Sequence, residues 1–413
     1  MIKKISPLAP KNFPKIPKVK GVDLGTAKSG VKYKGRSDIF TAIFDKGTTV
    51  AGSFTQSKIT AEPVDFCRKN IADGNARALV VNAGFANAFT GAKGKKINKS
   101  IATNVKKILK CREKDIFICS TGVIGEQIPL RPTNKAISQS LKESGSDWKQ
   151  SSKAITTTDT FSKASGRKIT IDGHEVSIAG IAKGSGMISP NMATMLAFIF
   201  TDAAIDSRVL QTLLNLELRN SFNAITVDSD TSTNDTVLVF ATGKAMDHGN
   251  VRPISRTGDP RLIEFRKAFK EIMHDLAIQI VKDGEGASKL IHVKVSGAEN
   301  SSAAKKIARS IADSPLVKTA IGASDPNWGR IIMAMGKARE SIQSRKVSLK
   351  IGKNLILKNG EVSRSYSEAK TKKYMEGSEI LIDVELGLAN GDSDIWTCDL
   401  TEGYIRINAD YRS

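Results

Sequence analysis

The stretch KGSGMISPNMATMLAFIFTDA, residues 183–203, changes character within a few residues. It opens with Gly184, Ser185, Gly186 and Pro190 and runs into the unbroken apolar segment LAFIF at 196–200. Thr194 stands at the junction, with Ala193 before it and Met195 after it. A short apolar run bounded by turn formers reads as a buried strand, far below the ~18 residues of a membrane span. The threonine then has two readings. In one it is an ordinary residue at the start of a strand. In the other it is a nucleophile that dispenses with histidine by using its own α-amine as the base. That amine titrates near pH ~7.7–8.0 and is partly neutral in the cytosol. To free it, the chain must cut itself between Ala193 and Thr194. The hydroxyl attacks the preceding carbonyl, an ester forms and water opens it. Upstream glycines allow the bend this attack requires, and a rigid strand downstream holds the new terminus still.

Working outward, β-branched and apolar runs recur at 38–44, 76–84, 115–122, 235–243, 290–298 and 379–387, and each reads as a strand. Asp172-Gly173 and Asn359-Gly360 supply the positive-φ pairs of tight hairpins. Between 261 and 282, Leu262, Phe265, Phe269, Ile272, Leu276 and Ile280 recur at steps of three and four and predict a helix. The segments 97–109 and 206–219 read the same way, and the ending YIRINADYRS reads as a strand pattern. Strands alternate with helices, but the hairpins exclude a purely parallel sheet. The expected fold is therefore α/β, a layered sandwich of mixed sheets covered by helices.

The chain has 413 residues, 63 of them Lys or Arg and 42 Asp or Glu, for a net charge of +21. A basic surface of this size suits nucleic acid, but aromatics are only 6% and no basic run is interleaved with them as a stacking platform requires. The basic residues are spread along the whole chain, which reads as a solvated surface that also gathers small anions. The first twenty residues are basic and broken by prolines, without the apolar core of a secretory signal. They carry lysine and proline where a mitochondrial leader favours arginine and serine. Cys67, Cys111, Cys119 and Cys398 form no CxxC pair and are expected to stay reduced. The expectation is a cytoplasmic protein with neither membrane nor nucleic-acid partner.

Other catalytic solutions are not signalled. Gly184-Ser185-Gly186 opens a dinucleotide fingerprint that fails at Ser189, and GAKGKKINKS at 91–100 lacks phosphate-loop spacing. His174, His248, His274 and His292 are far apart and belong to no metal motif or nucleophile elbow. DSDTSTNDT at 228–236 lacks the glycine and glutamate of a calcium loop and reads as a hydrogen-bonded loop near the site, structural more than catalytic.

KGSGMISPNMATML closely resembles the self-cleavage site of the ornithine acetyltransferase family, the bifunctional glutamate N-acetyltransferases of arginine biosynthesis. NAGFANAFTG (82–91), CSTGVIGEQIP (119–129), TTTDT (156–160), DSDTSTNDT (228–236), KDGEGASK (282–289), SDPNWGRI (324–331) and INADYRS (407–413) follow that family in order, over nearly the whole chain. The resemblance implies the self-processing fold of the aminopeptidase and ornithine acetyltransferase superfamily. It also implies a precursor cut at Ala193-Thr194 into an alpha chain, 1–193, and a beta chain, 194–413. Thr194 matches the nucleophile. Thr121 and Gly122 match the pair that stabilises the oxyanion. Lys183 matches a substrate-binding lysine suited to a carboxylate, and Glu285 a carboxylate that meets the substrate's amino group. Thr157 matches a substrate-contacting threonine, with Thr158 open as the alternative register. Asn408 and Ser413 match tail residues that reach into the site. Many members end in threonine, and serine keeps the hydroxyl.

The implied activity moves an acetyl group from N-acetylornithine to glutamate through an acetyl-threonine, with no metal or organic cofactor. Acetyl-CoA is a second donor in some members. The implied assembly is a heterotetramer of two alpha and two beta chains. Two rival readings are a serine-type aminopeptidase of the same fold and a basic nucleic-acid-binding protein.

Overall fold

The computed structural model describes residues 5–189, 195–246 and 252–409. Ala193, Thr194, His248 and Ser413 lie outside the described residues.

In chain order the first part comprises β1 (Val22–Ala27), β2 (Ile39–Phe44), β3 (Thr49–Phe54), α1 (Glu62–Asn70), β4 (Ala78–Phe85), α2 (Gly91–Leu109), β5 (Ile116–Val123), α3 (Leu130–Lys142), α4 (Trp148–Ala154), β6 (Lys163–Ile171) and β7 (His174–Lys183). There follow β8 (Leu196–Thr201), α5 (Ser207–Leu218), β9 (Thr236–Ala241), α6 (Leu262–Lys282), β10 (Leu290–Ala298), α7 (Ser301–Ala312), α8 (Pro315–Gly322) and α9 (Trp328–Gly336). The chain closes with β11 (Ser348–Ile351), β12 (Asn354–Lys358), β13 (Glu361–Val362), α10 (Glu368–Met375), β14 (Glu379–Glu385), β15 (Gly391–Cys398) and α11 (Glu402–Ala409).

The strands form three mixed sheets, ordered β1-β2-β4-β5, β3-β9-β8-β7-β6 and β13-β12-β11-β14-β10-β15. The first two lie face to face. Side chains alternate across a strand, so in β8 Leu196, Phe198 and Phe200 point one way, into a core shared with Phe40, Phe44, Leu79 and Phe117 of the opposite sheet. Phe44 stacks on Phe240 with ring centroids 4.3 Å apart. The intervening Ala197 and Ile199 point the other way, into a core with Leu210, Leu213, Phe265, Phe269, Ile272 and Leu276 of α5 and α6. The outer face of the first sheet is covered by α2 and α3, through Ile97, Ile101, Val105, Ile137 and Leu141. The result is helix, sheet, sheet and helix in four layers, the expected α/β sandwich. It explains why LAFIF is apolar throughout: both faces of its strand are buried. The third sheet packs its own core against α7 and α9.

Both hairpins form, between β6 and β7 and between β12 and β13. Their turn residues have positive φ: Asp172 (49°), Gly173 (78°), Asn359 (51°) and Gly360 (82°). The strand expected at the C-terminus is instead helix α11. In a helix Tyr404 and Asn408 sit one turn apart on the same face, where Tyr404 meets Asp228 and Asn408 meets Glu285. Ile405 and Ile407, which suggested a strand, are exposed. With no apolar layer above them, their alternation carries no folding force.

Candidate functional site

β7 and β8 are antiparallel neighbours, with Lys183 opposite Leu196, and β8 and β9 are parallel, with Leu196 opposite Thr236. The loop after Lys183 therefore leaves and re-enters the sheet at one edge of the sandwich. The ends of β4 and β5 in the facing sheet reach the same edge. A cavity of ≈ 130 Å³ opens there, lined among others by Thr121, Gly122, Thr157, Thr158, Lys183 and Glu285. Asn408 also lines it, as do Ser232, Thr233 and Asn234.

Thr121 and Gly122 lie near the end of β5, opposite Ala83 and Gly84 of β4. Gly122 has φ +134°, and a Cβ there would lie 2.1 Å from the Gly84 carbonyl carbon, so only glycine lets the two backbones meet. Asn234 fixes this corner by donating to the carbonyls of Ala86 at 2.7 Å and Ser120 at 2.8 Å.

The opposite wall is the Thr156–Thr160 loop. Arg36 donates to the Thr156 hydroxyl and carbonyl, each at 2.7 Å. Thr158 and Ser185 share a hydroxyl hydrogen bond of 2.6 Å. Asp159 accepts from the Thr157 and Gly184 amides at 3.0 and 2.7 Å. Beneath lies a fully buried row of charges. Lys163 Nζ sits 2.7 Å from Asp159 and 2.5 Å from Asp283. Burial opposes the Asp159 charge, but Lys163, Lys183 and these hydrogen bonds outweigh it and hold the carboxyl below its ordinary range. Burial raises Asp283, with Lys163 pulling it back. Lys163 stays charged between the two carboxylates despite its burial.

Lys183, on the cavity wall, is also buried. Burial and then the like charge of Lys163 press it below the ordinary lysine range, against the pull of Asp159, Glu285 and Asp235. A negative charge placed beside it would favour its charged form and oppose that shift.

Glu285 follows α6 and is 7% exposed. Its amide donates to Ser185 O at 2.9 Å, and its carboxylate accepts from Asn408 Nδ2 at 2.9 Å. A Cβ on Gly186 would come within 2.5 Å of that carboxylate, so Gly186 provides the space for it. Asp228 ties the loop down by accepting from the Met187 and Ile188 amides at 2.6 and 2.8 Å. Burial raises its carboxyl to about 6.

The profile of the ArgJ family matches residues 23–413. The chain belongs to the ArgJ family. Among its ArgJ relatives, the arginine biosynthesis bifunctional protein ArgJ of Agrobacterium fabrum is 48% identical over 99% of both chains. That of Nitrobacter winogradskyi is 49% identical over 99% of both. The crystal structure of the Bacillus halodurans ArgJ protein aligns at 42% identity and a TM-score of 0.47 with 50% of this chain and 95% of that one.

The cavity brings together Thr121, Gly122, Lys183, Glu285 and Asn408, and both Thr157 and Thr158 line it, so the register is not narrowed to one. Ala193, Thr194 and Ser413 fall outside the described residues. The loop 228–236, expected as a hydrogen-bonded loop near the site, does reach it: Ser232, Thr233 and Asn234 line the cavity. The available signal was the density of hydroxyl and amide groups in DSDTSTNDT. Among the described residues no group of three His, Cys, Asp or Glu is arranged to hold a metal ion. His274 and His292 instead flank Trp396, at 4.9 and 4.6 Å between ring centroids. No helix among the described residues is long and apolar enough to cross a membrane.

Proposed function

We propose that this protein is an acetyltransferase of arginine biosynthesis that carries the acetyl group of N2-acetylornithine to glutamate on the hydroxyl of Thr194. It first cuts itself between Ala193 and Thr194 into chains 1–193 and 194–413. The observation that carries this reading is the convergence of Thr121, Gly122, Lys183 and Glu285 on one cavity at the strand edge where β7 ends at Lys183 and β8 begins at Leu196.

The new α-amine of Thr194 takes the hydroxyl proton as the oxygen attacks the acetyl carbonyl. The Thr121 hydroxyl and Gly122 N–H hold the negative oxygen of the tetrahedral intermediate. The C–N bond breaks, the amine returns the proton to the leaving nitrogen, and ornithine departs. Glutamate then attacks the acetyl ester and takes the acetyl group, and the hydroxyl is restored. Lys183 pairs with the α-carboxylate of each substrate, while Glu285, held by Asn408, meets the amino group of ornithine. Thr157 and Ser413 complete the substrate contacts. These steps use no metal or organic cofactor. Acetyl-CoA serves as a second acetyl donor, in keeping with the bifunctional relatives. The cut pairs assemble two by two into a heterotetramer in the cytoplasm.

An assay of acetyl transfer from N-acetylornithine to glutamate, with and without acetyl-CoA, tests this reading. Transfer by the ping-pong pattern supports it. Absence of transfer by a protein cut at Thr194 overturns it.

A further inference from the structure

Residues 28–36 read KSGVKYKGR, four basic residues and no acidic one. They connect β1 to β2 and are fastened to both walls of the cavity. Asp38 pins the base of the loop by accepting the Ser29 amide and hydroxyl at 2.6 and 2.5 Å. Lys32 packs on the end of β4. A Cβ on Gly84 would lie 2.9 Å from Lys32 Cβ, and Gly84 in turn backs Gly122 of the cavity wall. At the far end Arg36 lies over the Tyr33 ring and binds Thr156, beside Thr157 of the opposite wall. The outer side is open, since a Cβ on Gly30 or Gly35 would meet nothing within 4 Å. Lys28, Lys32 and Lys34 are exposed. Of the three, Lys32 alone is ion-paired among the described residues, with Glu126 at 2.9 Å.

The two sides of the cavity mouth differ in sign. On the α11 side Asp228, Asp230 and Glu285 all bear on the Tyr404 hydroxyl. On the 28–36 side the lysines outnumber Glu126. A polyanion at the mouth is drawn to the second side and repelled by the first. Size matters too. The cavity holds ≈ 130 Å³, whereas a drug-sized ligand fills about 300–1,000 Å³. An amino-acid substrate is small enough to enter. Acetyl-CoA enters by its acetyl end, and its nucleotide, with a diphosphate and a ribose phosphate, rests on the surface outside.

Resting on the reading above, we propose that the 28–36 loop docks the phosphates of acetyl-CoA, with Lys32 and Lys34 as the cationic contacts. The path from cavity to loop runs along Thr121–Glu126. Its length is at most about 17 Å, within the reach of an extended pantetheine arm. Ile124 lines the cavity and is 38% exposed, and the Phe85 ring lies 5.8 Å from Lys32 Nζ. Both give the arm apolar footing. Lys32 exchanges Glu126 for phosphate, and Lys34 gains a partner. N-acetylornithine carries no phosphate, so the loop serves one donor and not the other.

The test compares the wild type, Lys32→Glu/Lys34→Glu and a remote variant of equal charge on α6, Lys267→Glu/Lys270→Glu. Acetyl-CoA, S-acetylpantetheine and N-acetylornithine are the acetyl donors. The loop variant should raise KM for acetyl-CoA by ~10-fold or more, the scale of several exposed charge contacts. Its KM for the two donors without phosphate should stay at the wild-type value. Added salt should raise KM for acetyl-CoA in the wild type and leave that of the loop variant nearly level. An unchanged KM for acetyl-CoA, an equal rise for all three donors, or an equal rise in the remote variant overturns the inference. Should the double variant lose N-acetylornithine transfer, the single exposed change Lys34→Gln decides by the same comparison. A wild type that uses both donors while the loop variant matches it removes this inference alone. One that uses N-acetylornithine but not acetyl-CoA removes the second donor with it, and one that uses neither removes the whole reading.

Discussion

At the residue scale, one hydroxyl is assigned two jobs, and that makes it easy to test. Thr194→Ala should abolish both cutting and transfer, whereas Thr194→Ser should retain part of each; a gel and the transfer assay on the same samples check this. Gly122 is constrained by space and by dihedral angle together, since its φ is +134° and a Cβ would collide with Gly84. Gly122→Ala should cost transfer activity by ~10²-fold or more, the scale of a lost oxyanion donor. The check is kcat, read beside the melting temperature. Glu285→Gln keeps the shape and the Asn408 contact but removes the charge offered to a substrate ammonium. It should raise KM for N-acetylornithine by ~10-fold or more, on the order of a charge-assisted hydrogen bond, with less effect on glutamate.

At the element scale, buried charge joins segments distant in sequence. Lys163 on β6 holds Asp159 from the threonine loop and Asp283 from the end of α6. Lys163→Met would leave two buried carboxylates facing each other and should destabilise the fold by about 3–5 kcal/mol, measured by denaturant unfolding. Asp228 joins the 187–188 loop to α11 through Tyr404. Burial raises its folded pKa to about 6, above the unfolded carboxylate value. The folded state therefore holds this proton more tightly. Its contribution to stability is complete below pH ~4 and is lost as pH rises through about 6. Asp228→Asn cannot titrate, so the melting temperature of the wild type should fall relative to that of the variant between pH 4 and 7. Parallel curves would dismiss this account. The tail makes a similar point. Deleting Tyr411–Ser413 should raise KM for N-acetylornithine more than it lowers the melting temperature, because the last described turn is already fixed by Asn408 on Glu285.

At the scale of the whole molecule, the cut protein should run as two bands under denaturing conditions. It should elute as one assembly of two cut pairs by light scattering; a single uncut band from active protein would sink the proposal. The sandwich itself was legible in the sequence. Helix and strand periods in 262–280 and 196–200 report local geometry and burial together, and Asp172-Gly173 and Asn359-Gly360 announce their own turns. The site residues were legible only through motifs matched to a family, because nothing in the spacing of Thr121, Lys183 and Glu285 says that they meet. The C-terminal helix was not legible. An alternating YIRI reads as a strand until its isoleucines prove to face water, and the partners that choose helix, Asp228 and Glu285, are more than a hundred residues away. The sequence by itself determined the local periods, the turns and the candidate nucleophile, since these depend on neighbours along the chain. Only the tertiary structure decided which distant groups share the cavity and which are sealed from water, because burial and pairing between β5, β7, β9 and the tail arise when the sheets close on one another.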